Sequence, residues 1–179
     1  MGTPELRAAI TQWAKDNLGA IGDFGVLPLI GSKEFVAWLP TLLTSSTVLY
    51  PAVAYPTYLV GAMLAKASHT AVDIDASQWP QADLAWVNSP SNPTGRVHSQ
   101  AEYEAAINWS RKSGGVLVSD ECYLEFGRDV TPTSILKYTG GDNRNILAVH
   151  SLSKRSNLAG YRAAFVIGDP QLIAEILEV

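Results

Sequence analysis

Leu6, Ile10, Trp13 and Ala14 recur at the spacing of one helical face, and the stripe fades at Asn17 and Gly19. Thr3 is suited to cap that helix, and Pro4 falls at the first helical position, where a missing N–H costs nothing. The chain therefore predicts a surface helix from its start. Short runs rich in apolar or β-branched residues follow at 25–30, 47–51, 69–74, 84–88, 115–120, 146–150 and 162–167, which predicts seven strands. Helical patterns at 32–43, 56–67, 99–112 and from Pro170 onward separate most of them, while a loop containing Pro80 leads into the fourth strand. Continuous apolar strands such as Val116-Leu117-Val118 and Ile146-Leu147-Ala148-Val149 suit a sheet covered on both faces. The predicted fold is α/β, with a mainly parallel seven-stranded sheet flanked by helices. No internal repeat or linker divides the chain, so residues 1–179 read as one domain.

Composition agrees with one globular core: 47% of the 179 residues are hydrophobic. The 13 Lys+Arg against 17 Asp+Glu give a net charge of -4 without long runs, so nothing in the electrostatics favours nucleic acid or anionic lipid. Small molecules are the expected partners. Cys122 is the single cysteine and forms no internal disulfide, and the first residues lack the pattern of a secretory signal, so the expected compartment is the cytoplasm. The uncharged stretch at 35–65 is broken by Pro40, Pro51 and Pro56 and does not read as a membrane-crossing helix. Both ends are abrupt, the last residues to Val179 still reading as helix, which suggests a piece of something longer.

In open α/β sheets ligands collect beyond the carboxyl ends of the strands, and the unusual residues fall there. Asn88-Ser89-Pro90-Ser91-Asn92-Pro93-Thr94-Gly95 follows one strand, Asp120-Glu121-Cys122-Tyr123 ends the next, and Ser151 to Lys154 follows a third. Each has a plainer reading: a turn, a helix cap and a polar connection. A lysine in a Ser/Gly-rich turn with Arg162 eight residues later suits covalent capture of a phosphorylated aldehyde, of which pyridoxal 5'-phosphate is one. His69, His98 and His150 are dispersed without Cys/His partners at ligand spacing, which argues against zinc. Neither a Gly-x-Gly-x-x-Gly nor a Walker sequence is present.

With Asn92-Pro93-Thr94-Gly95, Asp120-x-x-Tyr123, Ser151-x-Ser153-Lys154 and Arg162 in this order, the chain resembles the large domain of fold type I aminotransferases dependent on pyridoxal phosphate, in the class I/II branch. Leu27-Pro28-Leu29-Ile30-Gly31-Ser32-Lys33-Glu34, Asn88-Ser89-Pro90-Ser91-Asn92 and Asn157-Leu158-Ala159-Gly160-Tyr161-Arg162 are more particularly similar to actinobacterial succinyldiaminopimelate aminotransferases. The resemblance implies that Lys154 holds the cofactor aldehyde and shuttles a proton between the substrate α-carbon and the cofactor C4′ carbon. An amine does both only when deprotonated, a state favoured by desolvation or by nearby cations such as Arg162, with Arg155 either adding to this or facing solvent.

Asp120 is then the partner of the pyridine nitrogen, and Asn92 and Tyr123 the hydrogen-bonding partners of the ring's phenolic oxygen. Arg162, Ser151 and the helix start Gly31-Ser32-Lys33 are implied as the phosphate seat, with Ser153 either a further donor or a turn residue. Tyr55 is implied to stack on the ring and Tyr58 to pack within its helix. Cys122 is expected to point away from Asp120 and Tyr123 or to pack internally, and not to act as a nucleophile.

The implied activity moves an amino group between glutamate and a keto acid, with N-succinyl-2-amino-6-ketopimelate of lysine and diaminopimelate biosynthesis as the specific expectation. A homodimer of the full-length parent is implied too. In the family an arginine of a C-terminal small domain binds the substrate α-carboxylate, and the N-terminal segment and a partner subunit also contribute; this chain is expected to lack both end segments. A silent fragment that only binds cofactor, and a carbon–sulfur lyase, remain alternatives.

Overall fold

The structure is a computed structural model that describes residues 2–178, so the reading of helix at Val179 lies outside the described residues. Along the chain come α1 (Pro4–Leu18), β1 (Gly25–Ile30), α2 (Ser32–Leu42), β2 (Thr47–Pro51), α3 (Thr57–Leu64), β3 (Ser68–Val72) and β4 (Leu84–Asn88). Then follow α4 (Gln100–Ser113), β5 (Val116–Asp120), β6 (Ile146–Ser151), α5 (Leu152–Arg155), β7 (Ala163–Gly168) and α6 (Pro170–Glu178). The helix boundaries have local causes. Thr3 Oγ1 accepts the Leu6 N–H and Gly19 closes α1 in the left-handed conformation. Ser99 and Glu102 form a reciprocal capping box at α4. Pro40 lies within the last turn of α2 and does not end that helix early.

The seven strands form one sheet in the order β1-β7-β6-β5-β4-β2-β3. From β6 to β3 the neighbours are parallel; β7 is antiparallel to both β6 and β1. Alternate strand residues feed two apolar layers, as expected for a sheet covered on both faces. Ala85, Val87, Leu117, Ala148, Phe165 and Ile167 pack with α1 and α4, while Leu84, Trp86, Val118, Leu147, Val149 and Val166 pack with α2, α3 and α6. Each fully buried aliphatic side chain contributes about 1.5–3 kcal/mol by leaving water. Gly61 is what lets α3 lie close on α2, since a Cβ there would stand 2.9 Å from the Val36 and Ala37 carbonyl oxygens.

The end of the sheet where β5 and β6 begin is knitted by short polar bonds. Asn145 Nδ2 donates to the Gly114 carbonyl at 3.2 Å, and the Asn145 N–H donates to Asp169 Oδ2 at 2.7 Å. At the same end Asp83 Oδ2 accepts from the Ser46 and Thr47 N–H groups. No described helix is long and apolar enough to cross a membrane.

Candidate active site

Because β4, β5 and β6 are parallel neighbours, Asn88, Asp120 and Ser151 finish side by side, with Asn88 and Asp120 directly paired in register. The reversal of β7 brings its first residues, and Arg162 before them, to this same edge. The second reversal sends the far end of β1, and Gly31 after it, there too. Ser32, Lys33, Tyr55, Asn92, Asp120, Tyr123, Ser151, Lys154 and Arg162 line one cavity of about 380 Å³. Gly31 stands just outside its wall as the residue that precedes α2.

Asp120, the last residue of β5, is 7% exposed. Its Oδ1 accepts the Cys122 N–H at 3.1 Å, and its Oδ2 accepts the Tyr58 hydroxyl at 2.8 Å. Asn88 ties the neighbouring loop to this strand: its Nδ2 donates to the Asp120 carbonyl at 2.9 Å and its Oδ1 accepts the Asn92 N–H at 2.7 Å. The loop carrying Asn92 is thus more than a free-standing turn. The Tyr123 phenol is shifted up, first by burial and then by its neighbours, the Asp120 carboxylate among them, so it remains a donor suited to an oxyanion.

Cys122 packs internally, one of the two placements expected for it. It is buried, yet it lines the same cavity, its thiol donating to Ser32 Oγ at 3.3 Å. Burial and the neighbouring Asp120 push that thiol well up, which keeps it protonated and makes it a poor nucleophile. Tyr58 packs in its helix as expected, but it also reaches Asp120.

Ser151 to Lys154 is neither an irregular turn nor a mere polar connection. Leu152–Arg155 makes one helical turn whose start is capped by Ser151, its Oγ accepting the Ser153 N–H at 3.1 Å. Lys154 is exposed at the cavity and forms none of the ion pairs among the described residues. Arg155 neither joins it nor simply faces solvent: its Nε pairs with Glu125 at 3.2 Å and its guanidinium lies 4.3 Å over the Trp13 ring.

Arg162 adopts a left-handed backbone conformation at φ 51 and ψ 44. Its Nη2 binds both Glu34 carboxylate oxygens, at 2.9 and 3.2 Å, so its fork meets an internal anion. Gly31 has φ +82, and a Cβ there would run into the Arg162 guanidinium and the Glu34 carboxylate. No side chain caps the N-terminus of α2, which leaves the first N–H groups of that helix directed beyond its end. Gly31→Ala is expected to lower stability by about 1–2 kcal/mol, since it combines a disfavoured φ with a clash. Urea unfolding of the variant reads that loss.

A buried carboxylate and an exposed amine share this cavity with an uncapped helix start beside a guanidinium, which is the donor chemistry suited to an aromatic aldehyde carrying a phosphate. That defines the class as an α/β protein whose cavity suits a phosphorylated aromatic aldehyde. The sequence model of aminotransferases of class I and II matches residues 1–179, and the chain belongs to that family. The family's cofactor is pyridoxal 5'-phosphate, and the donor set of the cavity fits it.

Among relatives, the chain is 48% identical to the 4-dedimethylamino-4-oxo-anhydrotetracycline transaminase OxyQ of Streptomyces rimosus, over 99% of this chain and 52% of that protein. It is 30% identical to the LL-diaminopimelate aminotransferase of Aquifex aeolicus, over 100% of this chain and 51% of the relative. A solved structure from Thermus thermophilus, described as a "probable N-succinyldiaminopimelate aminotransferase", superposes with a TM-score of 0.86 at 30% identity, covering 94% of this chain and 50% of that one. The chain spans about half the length of the curated relatives it matches.

Asn88, Tyr58 and Glu34 are the site residues that sequence reasoning missed. Only Asn88 carried a local signal, as a polar residue closing an otherwise apolar strand.

Proposed function

We propose that this chain is the cofactor-carrying large domain of an aminotransferase that moves an amino group between glutamate and a keto acid. We favour N-succinyl-2-amino-6-ketopimelate as that keto acid, in a cytoplasmic homodimer. One observation carries the reading: Lys154 and the buried Asp120 line one cavity at the carboxyl edge of the sheet. The substrate is supported by the diaminopimelate names of two similar proteins.

The cofactor, when bound, supplies an electron sink for the charge released at the substrate α-carbon. Lys154 Nζ holds the aldehyde and, once free, moves the proton at that carbon. Asp120 keeps the ring nitrogen protonated, and Tyr123 and Asn92 hold the phenolic oxygen. Tyr55 offers a face for the ring. The N–H groups at the start of α2, with Ser151 and Arg162, hold the phosphate.

A second reading, cofactor uptake without turnover by this chain alone, is favoured by the single role open to Arg162. It is the one arginine lining the cavity among the described residues, and the phosphate takes it, so no second guanidinium is left there to orient a substrate carboxylate.

The test adds pyridoxal phosphate to the purified chain, reduces with borohydride and maps the adduct. The expected result is a visible absorbance band and a fixed adduct on Lys154, with negligible transamination of glutamate. No adduct at Lys154 would overturn the cofactor reading, and robust turnover would overturn the second. With the full-length protein, a higher kcat/KM for LL-diaminopimelate than for its N-succinyl derivative would overturn the substrate assignment.

A further inference from the structure

We infer that Tyr58 is a positioning residue for Asp120: its hydroxyl fixes one carboxylate oxygen and so controls how firmly Asp120 holds a proton on the ring nitrogen of the cofactor. This rests on the cofactor reading above and extends it to a residue outside the expected site set.

The Asp120 carboxylate is held from two sides. Among the described residues its Oδ2 accepts from Tyr58 alone, at 2.8 Å, and Oδ1 accepts the Cys122 N–H at 3.1 Å. With one donor on each oxygen the group has little freedom to rotate, and its remaining lone pairs keep a fixed direction. A hydrogen bond to a charged acceptor is stronger than one between neutral groups, so the constraint is a firm one.

Tyr58 is itself firmly held. It is fully buried, stacks on Trp86 with centroids 5.0 Å apart and a 24° interplanar angle, and meets the Tyr55 ring edge-on at 5.9 Å. Burial first, then the Asp120 charge, push its phenol well above the usual tyrosine range. It therefore acts as a donor at all ordinary pH values. Lys33 from α2, Cys122 and Tyr123 beyond β5, and Lys154 and Arg162 beyond β6 also face this cavity. Tyr55 and Tyr58 stand three residues apart, so one turn of chain supplies both the ring-facing aromatic and the carboxylate's donor.

The experiment compares the unsubstituted chain, Tyr58→Phe and Trp86→Phe. Two readouts are used: pyridoxal phosphate affinity, and the pH midpoint of the bound cofactor's visible absorbance. Tyr58→Phe keeps the ring and its stacking while removing the donor. It should weaken affinity about tenfold and raise the midpoint by roughly half a unit or more, because a less firmly protonated ring nitrogen withdraws less charge. Trp86→Phe disturbs the packing under Tyr58 but keeps its hydroxyl, so it should lower the melting temperature and leave the midpoint in place. If the unsubstituted chain takes up cofactor and Tyr58→Phe changes neither readout, this inference alone is overturned. A midpoint moved equally by both variants would make Tyr58 a packing residue and overturn it as well. If the unsubstituted chain takes up no cofactor, the cofactor reading falls and takes this one with it.

Discussion

Lys154→Ala is expected to yield a folded chain in which borohydride fixes no cofactor at the site. Lys154 is exposed, sits on a single helical turn and has no ion-pair partner among the described residues, so its loss should change stability by less than about 0.5 kcal/mol. The covalent link, by contrast, has no substitute. The chain has six lysines, and of the other five only Lys33 lines the same cavity. Peptide mapping after reduction reads the result directly: label at Lys154 in the unsubstituted chain, and no comparable label elsewhere in the variant. Heavy label at Lys33 in both would show that the aldehyde is captured by the wrong amine. In the full-length protein the same substitution should lower turnover by about 10²–10⁴-fold or more, the usual contribution of a positioned proton-transfer group.

Asp120→Asn should separate binding from durability. The Asp120 carboxylate is buried, receives two hydrogen bonds from uncharged donors and joins no ion pair among the described residues, so the cofactor-free chain carries the cost of a desolvated charge. An amide of the same shape removes that cost. Its oxygen still accepts the Cys122 N–H, and the Tyr58 hydroxyl can turn to accept from the new amide. The cofactor-free variant is therefore expected to stay within about 1 kcal/mol of the parent in urea unfolding, since the buried Tyr58 O–H loses its acceptor as the charge is removed. Cofactor affinity should fall about a hundredfold or more, because the protonated ring nitrogen loses the one carboxylate that lines the cavity among the described residues. A variant destabilised well beyond that margin yet binding normally would contradict both halves of this account.

The strands were legible because each is a run of apolar or β-branched residues bounded by Gly, Pro or polar positions, and their bounds differ from expectation by a residue or two. β3 runs over Ser68–Val72 where the pattern predicts 69–74, and β6 continues through Ser151. Helices with a capping residue were the clearest, as at Thr3 and Ser99. Leu152–Arg155 was not visible as a helix because four residues carry no period. The site residues were recognisable as motifs at strand ends, and the sheet order explains why three separated motifs meet.

What escaped was pairing. The hydroxyl of Tyr58 meets a carboxylate 62 positions away, and Arg162 meets Glu34 across 128. Nothing in either local stretch encodes such contacts. The same holds for Arg155, whose partners Glu125 and Trp13 lie on other elements. Cys122 was foreseen as an internal residue, but its place on the cavity wall was not, because it lies beyond the end of β5, where strand alternation no longer assigns a face.

The two ends of the sheet do different physical work. At the end closed by Asn145, Asp169 and Asp83 the polar bonds serve the framework alone, so substitution there is weighed only by its effect on durability. At the other end Asp120 and Ser151 close their strands and line the cavity together with Asn92, Tyr123 and Lys154 from the segments beyond, so the same residues finish the sheet and form the site. Relatives named for a tetracycline intermediate and for diaminopimelate align with essentially the whole of this chain. A substitution along that rim is therefore felt twice, once by whatever fills the cavity and once by the strand ends that form its floor.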